Sequence, residues 1–302
     1  MSWWGRPPSS AEDPPAPAGV PMLTLIEVVK KTSDFFASKG IESPRLNAEL
    51  LVGHALGLPR MRLYIEFERP VSDAELGRVR ELVRRRGRRE PVQHIIGYSD
   101  FCGLRLKTDR RALIPRPETE LLVETVAARC AAPPGRILDL GTGGGSIALA
   151  LARAFPTARV TAADASLEAL SLAAENAEAA GVAERVTFVE SDWFERLPAG
   201  ECYDLIISNP PYLSEEETAA AAPEVRDHDP ARALTAADGG FADIEKIVSG
   251  AAGSLAPGGM LALEMGIGHR ARLEEALVRA GFSRIEPHAD LAGRDRFILA
   301  WR

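Results

Sequence analysis

Four consecutive residues, Asn209-Pro210-Pro211-Tyr212, carry the densest chemistry in this chain of 302 residues. They follow an apolar run, Leu205-Ile206-Ile207-Ser208, which places them at the carboxyl end of a strand. Asn-Pro alone is a common turn signal. Here the Asn209 side-chain oxygen and the Pro210 backbone oxygen form two neighbouring acceptors. The proline rings fix the backbone that carries them, and Tyr212 adds a ring that can stack on a flat group. Such a set suits a planar hydrogen-bond donor. A second cluster lies upstream, Asp139-Leu140-Gly141-Thr142-Gly143-Gly144-Gly145. Its glycines allow a tight turn and let a ligand approach the backbone. It is not the dinucleotide fingerprint, which wants Gly or Ala where Ser146 stands, and it lacks the Gly-Lys-Ser/Thr of a triphosphate loop. Asp164 stands 19 residues after Gly145 and closes the next strand, where a carboxylate can accept both hydroxyls of a ribose. The histidines, His54, His94, His228, His269 and His288, form no ligand-spaced pair, so no metal site is expected.

These groups need a frame. From residue 136 onward short apolar runs alternate with helical stretches. Strands are expected at 136–140, 160–163, 186–189, 205–207, 260–263, near Ile285 and at 297–299. Helices are expected at 146–155 and, after the second strand, in a long alanine-rich stretch ending at Ala180, with a further one after Pro115-Arg116-Pro117. Strand–helix alternation gives a mostly parallel sheet with helices on both faces, whose ligands bind at the carboxyl ends of the strands.

The Asp-x-Gly-x-Gly-x-Gly loop resembles motif I of the class I S-adenosylmethionine methyltransferases. Asn-Pro-Pro-Tyr resembles the motif of methyltransferases acting on planar amino groups: the amide nitrogen of glutamine or the exocyclic nitrogen of adenine or guanine. These nitrogens are poor nucleophiles because the lone pair is delocalised. Accepting both N–H bonds localises it toward the methyl group, on a backbone that needs little reorganisation. The methylated nitrogen sheds its proton readily, so no general-base histidine is required, and in-line alignment supplies most of the remaining rate. The resemblance implies that Gly141, Thr142, Gly143, Gly144, Gly145, Asp164, Asp192, Trp193 and Asn209 bind the cofactor. It sets Asp192 near the adenine amine and Trp193 against the adenine face, with core packing as the other reading of Trp193. Asn209, Pro210 and Tyr212 become the catalytic residues, and Asn209, Pro210, Pro211 and Tyr212 the substrate-binding ones.

The resemblance narrows further over residues 22–302. Pro91-Val92-Gln93-His94-Ile95-Ile96-Gly97, Leu113-Ile114-Pro115-Arg116-Pro117-Glu118-Thr119-Glu120, Ser191-Asp192-Trp193-Phe194 and Leu263-Glu264-Met265-Gly266 are similar to the release-factor glutamine methyltransferases. That family implies an α/β fold: a Rossmann-like seven-stranded sheet, with a small N-terminal helical bundle joined by a β-hairpin. It implies S-adenosylmethionine as cofactor and peptide-chain release factors as partners, methylated on the glutamine of their Gly-Gly-Gln motif. It also sets Phe101, Arg116 and Glu264 near the pocket.

Upstream of the sheet the pattern is helical. Helices are expected at 24–40 behind a Thr24-x-x-Glu27 capping box, at 44–57, and after Ser72-x-x-Glu75. The third runs into Arg84-Arg85-Arg86-Gly87-Arg88-Arg89. This run reads either as a dock for an acidic or RNA-associated partner or as a solvated helix end whose cations favour the dipole. Residues 91–97 and 104–107 read as two strands joined across Cys102-Gly103. The expected division is a disordered Pro/Ala-rich tail at 1–21 containing Trp3 and Trp4, a helical substrate-binding domain at 22–90, a β-hairpin linker at 91–111, and the methyltransferase domain at 112–302.

The formal charge of −7 is uneven: residues 22–115 carry +6 and residues 116–302 carry −12. The overall balance argues against a dedicated nucleic-acid binder, whose affinity comes from neutralising phosphates. Cys102, Cys130 and Cys202 form no Cys-x-x-Cys pair, and no apolar run nears the roughly 20 residues a bilayer span requires. The expectation is a cytoplasmic monomer. The competing readings are a nucleic-acid adenine or guanine N-methyltransferase, which shares the catalytic tetrapeptide, and a binding module on a methyltransferase-like fold.

Overall fold

The structure is a computed structural model and describes residues 22–198 and 200–302. The expected tail at 1–21 lies outside the described residues. The contacts divide the chain into two compact units that meet at Gly97 and Tyr98.

The first unit contains five helices among its described residues: α1 (Leu25–Ser38), α2 (Pro44–Leu56), α3 (Arg60–Ile65), α4 (Asp73–Gly87) and α5 (Val92–Ile96). Ser72 caps α4, with Ser72 N–H donating to Glu75 at 2.9 Å. Leu25, Val28, Val29 and Phe36 of α1 are buried, as are Leu51 and Val52 of α2 and Leu76, Val79 and Val83 of α4. Buried Glu49 of α2 ties α3 in place, accepting from Arg60 Nε at 2.6 Å and from the Tyr64 hydroxyl. One reading needs correction here. Residues 91–97, expected as a strand, form α5. Its buried Val92, Ile95 and Ile96 fall at helical spacing, between Pro91 as N-cap and Gly97 as left-handed C-cap. Three arginines of the Arg84–Arg89 run are engaged within this unit, while Arg88 is exposed. Arg85 pairs with Glu90 at 2.7 Å, buried Arg86 donates to Asn47 at 2.8 Å, and Arg89 donates to the Gly40 carbonyl at 2.9 Å.

The second unit opens with a hairpin, β1 (Tyr98–Phe101) and β2 (Leu104–Lys107), turned at Cys102-Gly103. The turn is where it was expected, but the first strand starts after Gly97. Then come α6 (Pro117–Arg129), β3 (Arg136–Leu140), α7 (Ser146–Ala154), β4 (Arg159–Asp164), α8 (Leu167–Ala180), β5 (Val186–Glu190) and β6 (Tyr203–Ser208). Three short helices follow, α9 (Glu215–Ala220), α10 (Pro223–Arg226) and α11 (Ala237–Gly240). The chain finishes with α12 (Ala242–Ser254), β7 (Leu255–Glu264), α13 (Arg270–Arg279), β8 (Arg284–Ala289) and β9 (Asp295–Trp301).

Among the described residues the main sheet has seven strands in the order β5-β4-β3-β6-β7-β9-β8, and β9 runs antiparallel to both its neighbours. The alternation expected from the sequence is therefore realised. Its side chains feed two cores. Ile137, Ala162, Leu205, Ile207 and Leu299 face α6, α7 and the hairpin, while Leu138, Ala163, Ile206, Leu261 and Ile298 face α12 and α13. Successive strands run outward from β3 to β5, then return to β6 beside β3. That reversal opens a crevice at the carboxyl ends of β3 and β6.

Candidate active site

The glycine loop leaves β3 at this crevice. Gly141 and Gly143 hold φ of +69° and +56°, which glycine tolerates best. Asp139, fully buried at the end of β3, braces the loop from behind. Its Oδ2 accepts from the Thr142 hydroxyl at 2.6 Å and from Ala148 N–H of α7 at 3.0 Å. Burial pushes the Asp139 carboxyl up to about 7, against the pull of these two donors. Its Oδ1 is buried with no hydrogen-bond partner among the described residues.

Above the loop lies a cavity of about 330 Å³. Gly141, Gly143, Asp164, Asp192, Trp193 and Asn209 line it. Asp164 ends β4 and accepts Gly143 N–H at 2.8 Å on one oxygen and Ser166 N–H at 2.8 Å on the other. Each oxygen keeps a lone pair for a further donor, and no ion pair claims this carboxylate among the described residues. Trp193 has left-handed backbone, φ +48°, and its indole N–H donates to Asp243 of α12 at 3.2 Å. Lys246 holds the same Asp243 oxygen at 3.1 Å.

A second cavity, of about 350 Å³, adjoins the first. Pro210, Tyr212, Arg116, Glu118, Glu264 and Arg296 line it. Leu113, Asn209 and Ala233 belong to the walls of both. The Asn209 side-chain N–H donates to the Thr119 hydroxyl at 3.1 Å, and Thr119 donates to buried Glu264 at 2.8 Å. The Tyr212 hydroxyl donates to the other Glu264 oxygen at 3.0 Å. Burial and the Glu264 charge raise the Tyr212 hydroxyl above its ordinary range, so it keeps its proton. Burial also raises Glu264, opposed by the hydrogen bonds from Thr119 and Tyr212. Arg116 donates to Asp229 at 2.6 Å, which fixes the segment between β6 and α12 over the crevice. Gly240, at φ +86°, sits so close to the Tyr212 carbonyl that a Cβ there would overlap it.

The structure sorts the residues singled out from the sequence. Gly141, Gly143, Asp164, Asp192, Trp193, Asn209 and Pro211 line the first cavity, and Asn209, Pro210 and Tyr212 the second. Pro211 thus lines the first cavity and not the second. Thr142, Gly144 and Gly145 line neither cavity. Thr142 bonds Asp139, the Gly144 carbonyl accepts from Asn176 at 2.9 Å, and Gly145 is the left-handed N-cap of α7. Phe101 is also not at the pocket; it is buried in the core beneath the hairpin. Arg116 and Glu264 are where the resemblance set them. Thr119, Asp229, Asp243 and Arg296 carried no signal of their own, although Thr119 lies inside a stretch already quoted for the family.

Two family models match. "PrmC N-terminal domain" covers residues 27–97, and "Methyltransferase small domain" covers residues 117–240. A protein named release factor glutamine methyltransferase from Chlorobaculum tepidum is 43% identical over 282 residues, 90% of this chain and 95% of that one. Proteins of the same name from Geobacter sulfurreducens and Escherichia coli are 41% and 39% identical, covering 91% and 85% of this chain and 95% and 92% of theirs. Among solved structures, the hMettl16 catalytic domain in complex with MAT2A 3'UTR hairpin 6 aligns with a TM-score of 0.55 at 18% identity, over 73% of this chain and 81% of that one. At that identity the likeness speaks to the fold.

Proposed function

The chain belongs to the release factor glutamine methyltransferases, and from that premise we propose how its two cavities divide the work of methylating a release-factor glutamine. The observation that carries the reading is Asn209 in the wall between them. The first cavity fits S-adenosylmethionine. Asp164 offers two free lone pairs to a ribose diol, Gly141 and Gly143 allow close approach, and Trp193 and Asp192 offer a ring and an acceptor to adenine. When bound, S-adenosylmethionine supplies a methyl group on a positively charged sulfur.

The second cavity takes the side-chain amide. The Asn209 carboxamide oxygen and the Pro210 carbonyl accept its two N–H bonds and turn the nitrogen lone pair toward the shared wall. Tyr212 stacks against the amide plane, held by its bond to Glu264. A bond forms from the amide nitrogen to carbon as the carbon–sulfur bond breaks, and one amide proton leaves to water. Residues 22–90 serve as the substrate-binding domain in this reading, and the enzyme acts as a cytoplasmic monomer on a translation factor.

The test is transfer of radiolabelled methyl from S-adenosylmethionine to purified release factor, with the glutamine-to-alanine substrate as control. Label on release factor, and none on the control, is expected. Label on DNA or RNA instead would favour the nucleic-acid alternative and overturn this one.

A further inference from the structure

Of two stretches that mark the family, Arg116 to Glu120 has no part in the chemistry above, and Leu263-Glu264 enters it only through the bond of Glu264 to Tyr212. The structure brings them together at Asn209. A carboxamide has an acceptor end and a donor end of nearly equal size. Methyl transfer needs the acceptor end toward the substrate, because the donor end would repel the amide N–H it must hold. Something must distinguish the two.

We propose that Thr119 and Glu264 are positioning residues that set the polarity of the Asn209 side chain. This rests on the reading of Asn209 as the acceptor for the substrate amide. Glu264 is 1% exposed and accepts on both oxygens, from Thr119 at 2.8 Å and from Tyr212 at 3.0 Å. The Thr119 hydroxyl has one proton, and Glu264 takes it. Only lone pairs remain on Thr119 for Asn209, which meets them with its N–H at 3.1 Å. Turning the carboxamide over would set two lone-pair oxygens against each other in a partly buried site, a costly arrangement. The oxygen end is thereby left for the pocket. The same carboxylate orients the Tyr212 ring, so one buried group sets two of the contacts to the substrate amide.

Thr119→Val keeps the shape and removes the hydroxyl. Its kcat for release-factor methylation should fall roughly 10- to 100-fold, with S-adenosylmethionine affinity close to wild type and a melting temperature lower by a few degrees, because buried Glu264 loses a donor. Thr119→Ser restores kcat to within about threefold, and Thr119→Val added to Asn209→Ala changes kcat less than about twofold, since the hydroxyl acts through Asn209. Thr119→Ala is the second variant, with the same expected loss. Wild-type kcat in Thr119→Val, or an undiminished further loss on the Asn209→Ala background, would overturn the proposal. Unfolding of both Thr119→Val and Thr119→Ala would overturn it too, by showing a structural role. Absence of transfer by the wild type would instead sink the functional reading on which it rests.

Discussion

In the proposed division Asp164 serves only the cofactor, whereas Asn209, which lines both cavities, does its work at the substrate amide, so their loss should separate turnover from cofactor binding. Asn209→Ala should lower kcat by roughly 10²- to 10³-fold and leave S-adenosylmethionine affinity within a few-fold, as for loss of one preorganised transition-state contact. Asp164→Ala should weaken the cofactor at least tenfold, about the worth of one charge-assisted hydrogen bond. Calorimetric titration and saturation kinetics on the two variants check this; equal losses of both quantities in Asn209→Ala would contradict its place on the substrate side. Asp139 makes a different prediction. Its folded carboxyl is raised to about 7 from an ordinary 3.8, so folding favours its neutral form. That contribution is fully present below about pH 4 and is lost as the pH rises through 7. Asp139→Asn stays neutral throughout. The melting temperature of wild type, measured against this variant, should therefore fall by a few degrees between pH 4 and pH 7. A constant difference would show that Asp139 is not held neutral by burial.

At the scale of elements, the site depends on where β6 releases the chain and on what α11 packs against it. Gly240 closes α11 with left-handed backbone and lies against the Tyr212 carbonyl. Gly240→Ala combines an unfavourable φ with overlap on the Asn-Pro-Pro-Tyr turn, a cost of about 2–4 kcal/mol. Lower melting temperature and lower turnover are expected together; an unchanged protein would mean that this turn has room to give. The sheet, the glycine loop and the tetrapeptide were legible in the sequence because each is local: alternation, a glycine run, two prolines after a strand. Two kinds of feature were not. The segment at 92–96 has strand-like composition, yet its apolar residues recur at helical spacing between a proline and a glycine. The braces around Asn209 are non-local. Thr119 and Glu264 lie 145 residues apart in sequence, and Arg116 and Asp229 lie 113 apart. No spacing rule reports such a pair. The arginine run shows the converse: a charge pattern visible in sequence, three of whose five arginines engage Glu90, Asn47 and the Gly40 carbonyl.

For the whole molecule, the boundary at Gly97 matters most, because both cavities are lined entirely by residues beyond it. The second unit has its own two cores, one on each face of the sheet. Residues 98–302 alone should fold and bind S-adenosylmethionine within about threefold of the full chain, while kcat/KM on release factor falls at least about tenfold. Full activity of the fragment would remove the helical unit from substrate binding. The charge also divides here, +4 on residues 22–97 and −10 on residues 98–302. The shared wall at Asn209 has a consequence for reaction order. In the proposed reading methyl donor and acceptor meet at one side chain, so transfer is direct, with no methylated enzyme between two half-reactions. Both substrates must be on the enzyme at once. Initial rates should therefore give intersecting double-reciprocal lines when donor and release factor are varied together, and parallel lines would mean that a methylated enzyme exists after all.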